Sequence, residues 1–309
     1  MRKRRRSLEL LAQLLPRGFF LRLYGFAKTG TWPNLRDPRR FSERMLRRML
    51  DPGDELAIMA RTGDKYTMRA HVEERLGPGY LPRLHDVIEV GQHVTAERVA
   101  AWPERGVLKA SHASRWMTFV ERASADPAEL DALVQRWLRR SYAAVRQEPH
   151  YGVMTPRAVL EEDLSRAGEP PSDVKIFVIE GVPRLIMVDS SRFRGLRRFV
   201  ADPEWRPLSV SQGDPPPASD PPPPATLAQM REVASALAKG ITFVRVDLYE
   251  VDGRVLVGEM THFPRAGVLL FQPRSFDDEL GAVWGERRAV NPRWLRRDGT
   301  VEPTAAHPT

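Results

Sequence analysis

Two carboxylates and an arginine lie at short spacing in residues 242–261, TFVRVDLYEVDGRVLVGEMT. The alternation of apolar and polar residues predicts two strands joined by a tight turn, that is, a β-hairpin. A three-residue loop at 251–253 would put Arg245, Asp247 and Glu259 on one face, with Glu259 directly opposite Arg245. A two-residue Asp-Gly turn would put the two carboxylates on opposite faces, so the pattern favours the longer loop.

The same loop assigns the remaining side chains of the hairpin to two chemically different faces. The first face would collect apolar and small residues, namely Val244, Val246, Leu248, Leu256, Gly258 and Met260. The second face would carry polar and charged residues together with one valine, namely Arg245, Asp247, Val257, Glu259 and Thr261. The hairpin is therefore expected to have one core face and one functional face.

A positive charge is expected between the two carboxylates of this second face. At about 4 Å and an effective dielectric constant near 20, two carboxylates repel by about 4 kcal/mol. Arg245 would relieve this repulsion as a cross-strand ion pair. A divalent cation would do so equally well, and two carboxylates with a neutral oxygen donor suit Mg²⁺. The hairpin alone leaves both possibilities open.

Lysine is rare among the basic residues, since only six of the 48 are lysine and the rest are arginine. Lys109 and Lys175 stand within apolar segments that predict strands. A compact ammonium in such a position suits the binding of phosphate oxygens. The alternative is that each ammonium simply extends to a strand edge.

Composition limits the class of protein. With 309 residues, of which 42% are hydrophobic, the chain is expected to bury a substantial core in two or three subdomains. The lack of cysteine excludes disulfide bonds and thiolate metal sites. The net charge of +8 is dispersed apart from a basic cluster at residues 1–6, so we expect no nucleic-acid partner, although peripheral membrane contact through this basic N-terminus remains possible. No apolar run approaches the ~20 residues of a membrane span, and a cytoplasmic location is expected.

The pattern along the chain changes from helices to strands. Amphipathic or capped helices are predicted at residues 8–15, 41–50, 64–76, 127–147 and 226–239. Strands are predicted at residues 107–110, 158–161, 174–179 and 184–189, as well as in the hairpin. The segment QGDPPPASDPPPP at residues 212–224 is expected to be an extended, exposed connection.

A set of short motifs then identifies a family that the chain resembles. They are Asn34 to Pro38, Phe41 to Glu43, Asp64 to Tyr66, Val107 to Lys109, Glu161-Glu162, Asp173 to Lys175, Val188-Asp189, Arg192-Phe193, Phe243 to Asp247 and Gly258 to Thr261. In this order they resemble the ATP-grasp enzymes, and more narrowly the TupA-like (teichuronopeptide biosynthesis) family, over about residues 35–280. The resemblance implies an α+β fold in which two lobes enclose a nucleotide.

The resemblance also implies domains and a ligand set. It divides the chain into a helical N-terminal region (1–60), a small subdomain (61–104), two ATP-grasp lobes (105–164 and 165–296) and a disordered tail (297–309). The cofactors implied are ATP and Mg²⁺, with metal ligands Asp247, Glu259 and Thr261. Nucleotide contacts are implied for Lys109, Ser111, Glu161, Glu162, Leu164 and Lys175. Arg192, Arg198 and Arg245 are placed to neutralise a phosphate or a substrate carboxylate.

The activity that the resemblance implies is an ATP-dependent carboxylate–amine ligase acting on small molecules through an acyl phosphate. A role in surface-polymer or specialised-metabolite biosynthesis is expected. One departure concerns the loop at residues 111–116, which lacks the glycines of the family's phosphate-covering loop, so that Ser111, Ser114 or Arg115 would contact phosphate through side chains. The alternatives are an ATP-grasp kinase that phosphorylates a hydroxyl, and a non-catalytic nucleotide-binding protein.

Overall fold

The computed structural model describes residues 15–143, 147–166, 168–190 and 195–284. Two antiparallel sheets with helices packed against them give an α+β architecture. The helices are α1 (Arg17–Thr29), α2 (Phe41–Leu50), α3 (Leu56–Gly63), α4 (Thr67–Leu76), α5 (Ala96–Ala100), α6 (Pro127–Leu138), α7 (Leu227–Leu237) and α8 (Ser275–Ala282). The strands are β1 (Leu84–Glu89), β2 (Arg105–Ala110), β3 (Met117–Glu121), β4 (Arg157–Glu162), β5 (Asp173–Ile179), β6 (Val182–Ser190), β7 (Arg197–Ala201), β8 (Phe243–Val251) and β9 (Arg254–Thr261).

The first sheet has the strand order β1-β4-β2-β3. Alternate residues of β2 and β4, such as Leu108 and Leu160, are buried in a core with Val134 and Trp137 of α6. The residues between them point to the opposite face, because side chains alternate along a strand. Lys109 and Glu161 therefore share the face away from α6.

The second sheet has the strand order β7-β6-β5-β8-β9 and is covered on both faces. One face packs against α4 and α7 through residues such as Val72, Ile176, Val233 and Val246. The other face packs against α1, α2 and α8, but only over part of its area, through a core that includes Phe41, Phe177 and Phe243. The rest of this second face carries the charged residues Lys175, Asp189, Arg198, Arg245 and Asp247.

The β8–β9 hairpin differs from the predicted three-residue loop. Val251 pairs with Arg254, so the turn has two residues, and both Asp252 and Gly253 have the positive φ of a type I′ turn (52° and 71°). A β-bulge near Gly258 supplies the extra residue instead, because Leu248 pairs with Val257 while Asp247 pairs with Glu259.

The bulge has three consequences for the predicted faces. Asp247 and Glu259 do share a face, as predicted, but they are directly opposite each other. Arg245 faces Thr261, not Glu259. The predicted placement of Val257 was wrong, because it lies in the core with Val244 and Val246, whereas Leu256 pairs with Tyr249.

Several predicted elements agree with the structure, and others are shorter. The helix at 41–50 is confirmed, and Asp64 caps α4 by accepting hydrogen bonds from the backbone of Tyr66 (2.8 Å) and Thr67 (3.0 Å). The helix predicted at 127–147 ends at Leu138. Strands β1, β3 and β7 were not predicted, and the helix predicted at 8–15 lies almost wholly outside the described residues. The tail predicted at 297–309 also lies outside them.

Both outer strands of the second sheet are bordered by irregular segments. The proline-rich segment at 212–224 runs beside β7, where the carbonyl of Pro215 accepts from the backbone of Arg198 (3.0 Å). On the opposite side, the carbonyl of Tyr80 accepts from the backbone of Val257 in β9 (2.7 Å). Among the helices in the described ranges, none is both long and apolar enough to cross a membrane.

Candidate active site

Three oxygen donors converge on one point of the β8–β9 hairpin. That point is Nη2 of Arg245, which donates hydrogen bonds to all three. The acceptors lie at 2.6 Å on Asp247, 3.1 Å on Glu259 and 3.0 Å on Thr261. Asp247 is 2% exposed because it stands beside the central strand β5. The three residues predicted as metal ligands are thus brought together, and the structure shows them in the ion-paired arrangement with Arg245.

Lys175 lies next to this point, on the neighbouring strand β5. It pairs with Asp247 in the strand register, and its Nζ donates to Asp247 at 3.0 Å and to Asp173. Asp189 of β6 is 3.8 Å from the same Nζ. A buried ammonium among three carboxylates is a cation held in place by charge, since a lysine free of partners at this depth would be costly.

The charged row continues across the sheet to Arg198. Asp189 and Arg198 are register partners, and the guanidinium donates two hydrogen bonds to the carboxylate, at 2.7 Å and 3.0 Å. The remaining guanidinium nitrogen of Arg198, Nη1, donates to Asp214 of the proline-rich segment at 2.6 Å. Asp214 also accepts a hydrogen bond from Arg265 at 3.0 Å. The proline-rich segment therefore orients Arg198. Arg192, the other predicted arginine of this region, lies outside the described residues.

Burial and neighbouring charges shift the pKa values of the charged row in different directions. Burial lowers the pKa of Lys175, and the charge of Asp247 offsets this effect only in part. Burial acts in the same direction on Arg245, but the charge and hydrogen bonds of Asp247 outweigh it, so the pKa of Arg245 is raised. For Asp189, burial would raise the pKa, yet the hydrogen bond from Arg198 and the surrounding cations lower it. The carboxylate of Asp189 is consequently ionised at neutral pH.

The first sheet contributes a second lysine. Nζ of Lys109 donates to Glu161 at 2.7 Å, and Arg69 of α4 donates to the other oxygen of Glu161 at 3.1 Å. Glu161 is 4% exposed, and each of its two oxygens accepts a hydrogen bond from a cation. Glu162 is exposed and accepts from the backbone of Arg83 at 3.3 Å.

Leu164 lies in the connection between the two sheets, beside a cavity of about 320 Å³. Pro170, Pro171 and the residues of the β8–β9 turn form other parts of its wall. Leu164 thus lines a cavity where the chain passes from one sheet to the other. The nucleotide-binding hinge at Leu164 stays a prediction.

The glycine-free loop at 111–116 connects β2 to β3 and is held from below by Asp64 and Lys65. The hydroxyl of Ser111 is fully buried and donates to Asp64 at 2.6 Å. Nζ of Lys65 donates to the carbonyl of Ala113 at 2.8 Å and lies 3.9 Å from Glu259. Ser111 is therefore engaged in anchoring the loop, and Lys65 connects the loop to the hairpin carboxylate.

Sequence reasoning missed the site positions of Lys65, Asp173 and Asp189. Lys65 stands in the motif Asp64 to Tyr66 without a predicted role, although the scarcity of lysine was a signal that it shares with Lys109 and Lys175. Asp173 and Asp189 stand in the motifs Asp173 to Lys175 and Val188-Asp189, but no role was predicted for either. They become site residues because β5 and β6 pair in a register that aligns Asp173 with Asp189.

The donor set at the hairpin is chemically suited to Mg²⁺. Two carboxylates and a hydroxyl are hard oxygen ligands, and Mg²⁺ takes few protein ligands because waters and phosphates complete its octahedron. Within the described part of the chain, no three or more His, Asp or Glu residues form a group able to hold a metal ion. The fit therefore depends on Thr261 as the third protein donor and on displacement of the Arg245 guanidinium from the point of convergence.

Comparisons with solved structures return ATP-grasp ligases at low identity. D-alanine–D-alanine ligase from Bacillus anthracis, solved with ATP, is 11% identical (TM-score 0.39; 65% of this chain and 54% of that one). Phosphoribosylamine–glycine ligase from Thermotoga maritima is 16% identical (TM-score 0.42; 77% and 58%). The ATP-grasp ligase PsnB, solved with a phosphomimetic variant of a minimal precursor, Mg and ADP, is 11% identical (TM-score 0.42; 75% and 60%). The chain spans between half and about three fifths of the length of these structures.

A comparison with protein families is decisive for the fold. The family model described as TupA-like ATPgrasp matches residues 43–284, which include both sheets. The fold is thus of the ATP-grasp class, as the sequence motifs indicated. Within that class, the chain belongs to the TupA-like ATP-grasp family. A search of curated proteins gives no match.

Proposed function

We propose that the chain is an ATP- and Mg²⁺-dependent ligase that activates a small-molecule carboxylate as an acyl phosphate and joins it to an amine. The observation that carries this proposal is the convergence of oxygens from Asp247, Glu259 and Thr261 on one point, beside the buried ammonium of Lys175. Membership of the TupA-like ATP-grasp family supports ATP as the phosphoryl donor. The described site offers positioned charges, and phosphoryl transfer depends on positioning and charge neutralisation more than on a protein nucleophile.

Each group then has a role that its position allows. Asp247, Glu259 and Thr261 would hold Mg²⁺, which supplies charge neutralisation between phosphates. Lys175 would donate to phosphate oxygens from the second sheet, and Lys109 would do so from the first. Both lysines are now paired with carboxylates, so nucleotide phosphates would compete with those carboxylates for the ammonium groups.

Arginines would neutralise the charge that develops on the substrate. Arg245 would leave the convergence point when the metal is bound and remain beside it, in reach of a transferred phosphate or of the substrate carboxylate. Arg198 is oriented on both sides by Asp189 and Asp214, which fits a residue that fixes a carboxylate in one direction. Arg192 stays a candidate for the same role from sequence alone. The amine would attack the acyl phosphate and release phosphate as the amide bond forms.

The test is ADP release in a screen of paired carboxylates and amines, followed by mass measurement of the product. Amide formation with one ADP released per bond is expected. Asp247→Asn and Glu259→Gln are expected to lower the rate at least a hundredfold, because each removes a charged metal ligand. Asp278→Asn is the matched control, since it removes an exposed carboxylate of α8 that pairs with Arg40 at 3.1 Å and is not part of the proposed site.

Two results would replace this proposal with a rival. A stable phosphorylated product without any amide would assign the chain as a kinase. Failure of millimolar Mg-ADP to raise the melting temperature would favour a protein that does not bind the nucleotide. Unchanged ADP release in both carboxylate variants, with the true substrates, would refute the metal assignment.

A further inference from the structure

Three exposed aromatic side chains form a patch on the N-terminal helix and the segment after it. Phe19 and Phe26 of α1 are 47% and 45% exposed, and Trp32 is 49% exposed. The ring of Trp32 lies between the two phenylalanines, with centroids 6.1 Å and 5.9 Å away. These three residues, here called the aromatic patch, are contiguous, whereas single exposed hydrophobic residues are normal on protein surfaces.

The patch is fixed in its outward orientation by the buried side of α1. Phe20 and Leu21 are buried in the core shared with α2 and the second sheet. Gly25 allows close packing there, because a Cβ at that position would lie 2.8 Å from Leu46 and 3.0 Å from Pro33. The helix therefore cannot rotate to bury Phe19 and Phe26 without losing its own core contacts.

The net charge of the chain is concentrated in the same region of the sequence. The first 32 residues contain eight basic residues and a single acid, Glu9, so they carry +7 of the net charge of +8. Three of the basic residues, Arg17, Arg22 and Lys28, belong to α1 itself. The other 277 residues, with 40 basic and 39 acidic residues, are nearly neutral. The excess of positive charge and the exposed aromatic residues thus fall in the same part of the sequence.

We propose that the aromatic patch and the basic residues of α1 form a docking surface for an anionic lipid bilayer. Aromatic side chains favour the boundary between headgroups and acyl chains, and basic residues beside them are attracted to anionic headgroups. Basic residues 1–6 are followed by LELLAQLL at residues 8–15, and this apolar sequence suits acyl chains and not a nucleic acid. The proposal does not depend on the ligase activity.

Co-sedimentation of the full chain with lipid vesicles tests this surface. Vesicles of phosphatidylcholine with 30% phosphatidylserine are expected to bind the protein, whereas pure phosphatidylcholine vesicles bind it at least tenfold more weakly. Replacing Phe19, Phe26 and Trp32 together by serine is expected to weaken binding about tenfold or more, because their contact with the acyl boundary is lost. Replacing the five basic residues at 2–6 by glutamine is expected to weaken binding by about fivefold per charge.

A matched control removes exposed hydrophobic residues elsewhere. Val90 and Phe119 are 65% and 44% exposed, and their replacement by serine is expected to leave vesicle binding within twofold. If the triple variant unfolds, as judged by circular dichroism, Trp32→Ser alone replaces it, with Trp32→Phe expected to retain binding.

Three results would overturn the proposal. The first is equal vesicle binding by the parent and the patch variant. The second is a dimer in sedimentation equilibrium that the patch variant abolishes, since a second copy would then cover the patch. The third is binding to an oligonucleotide without binding to anionic vesicles.

Discussion

The Asp247→Asn substitution separates the structural and the metal-binding roles of the hairpin. Asp247 is buried and accepts hydrogen bonds from Arg245 at two atoms, each 2.6 Å away, and from Lys175 at 3.0 Å. Glu259 is on the same face, but its side chain is 34% exposed and only one oxygen contacts Arg245, at 3.1 Å. The two carboxylates therefore differ in what they contribute to stability, although both are proposed metal ligands.

The expected loss of stability follows from this difference. Removing one partner of a buried ion pair costs about 3–5 kcal/mol, because the remaining charges stay buried without compensation. A partly exposed pair contributes about 0–1 kcal/mol. Asp247→Asn is therefore expected to lower the free energy of unfolding by about 3 kcal/mol, and Glu259→Gln by about 1 kcal/mol or less. At about 2 °C per kcal/mol for a large domain, the melting temperatures should differ by about 4 °C.

The ligand response is expected to be the same for both variants. Mg-ADP at a hundredfold excess over its dissociation constant would stabilise the parent by about 2.7 kcal/mol, and loss of either ligand should remove most of this gain. Thermal unfolding with and without Mg-ADP measures both effects. Asp202→Asn is the control, since Asp202 is buried, pairs with Arg206 at 2.6 Å, and is not part of the proposed site. It should lower the melting temperature without reducing the Mg-ADP gain.

Two results would refute this reasoning. Equal melting temperatures for the two variants would show that the buried contacts of Asp247 contribute no more than the exposed contacts of Glu259. An undiminished Mg-ADP gain in both variants would show that the nucleotide complex is held elsewhere.

Three further predictions concern stability and the orientation of the arginine. Burial and the nearby Arg48 lower the pKa of His150 from 6.5 to about 3, so below pH 6.5 this histidine binds a proton in the unfolded chain and not in the folded one. His150 should therefore contribute about 1.4 kcal/mol per pH unit to the loss of stability between pH 6.5 and about pH 3, and urea titrations of His150→Phe should show a slope that is smaller by this amount; an unchanged slope would contradict this. Gly281→Ala should destabilise by about 3 kcal/mol or more despite the better helix propensity of alanine, because the new Cβ would lie 2.1 Å from a backbone oxygen of the segment before α2. Gly18→Ala, whose Cβ would lie no closer than 3.6 Å to a neighbouring atom, should be neutral or stabilising in the same thermal melts. Asp214→Asn should raise KM for the carboxylate substrate about tenfold with a smaller effect on kcat, because the guanidinium of Arg198, which donates to Asp214 at 2.6 Å, loses one of its orienting partners. An unchanged KM would contradict that role.

The sequence correctly predicted that Asp247 and Glu259 share one face of the hairpin, although it placed the extra residue in the loop and missed the bulge. A three-residue loop and a two-residue turn with a bulge both insert one residue, so Asp247 and Glu259 share a face in either case. The alternation of residues does not reveal where the extra residue lies, and for that reason Val257 was assigned to the wrong face. Asp252-Gly253 strongly favours a two-residue turn, so the extra residue of the hairpin lies in the bulge near Gly258 and not in the loop.

Long-range contacts were less accessible to sequence reasoning. Lys65, just before α4, lies 3.9 Å from Glu259, which follows it by almost two hundred residues in the chain. Tertiary packing, which local sequence patterns do not reveal, brings the two residues together. Asp189 becomes a partner of Arg198 through the strand β7, which was not predicted from the sequence. Short strands such as β7 carry few alternating residues, so their pairing is decided by tertiary contacts and not by local pattern.

The irregular segments beside β7 and β9 also bear on how the protein behaves in concentrated solution. A free sheet edge offers a row of backbone donors and acceptors to other chains, and so promotes aggregation. Proline has no backbone N–H to offer, and the segment containing Pro215 covers β7 without extending the ladder for a further strand. Tyr80 covers part of β9 in a similar way. Shortening the proline-rich segment is therefore expected to lower the solubility of the protein while the chain still folds, because the exposed edge of β7 could then pair with other chains.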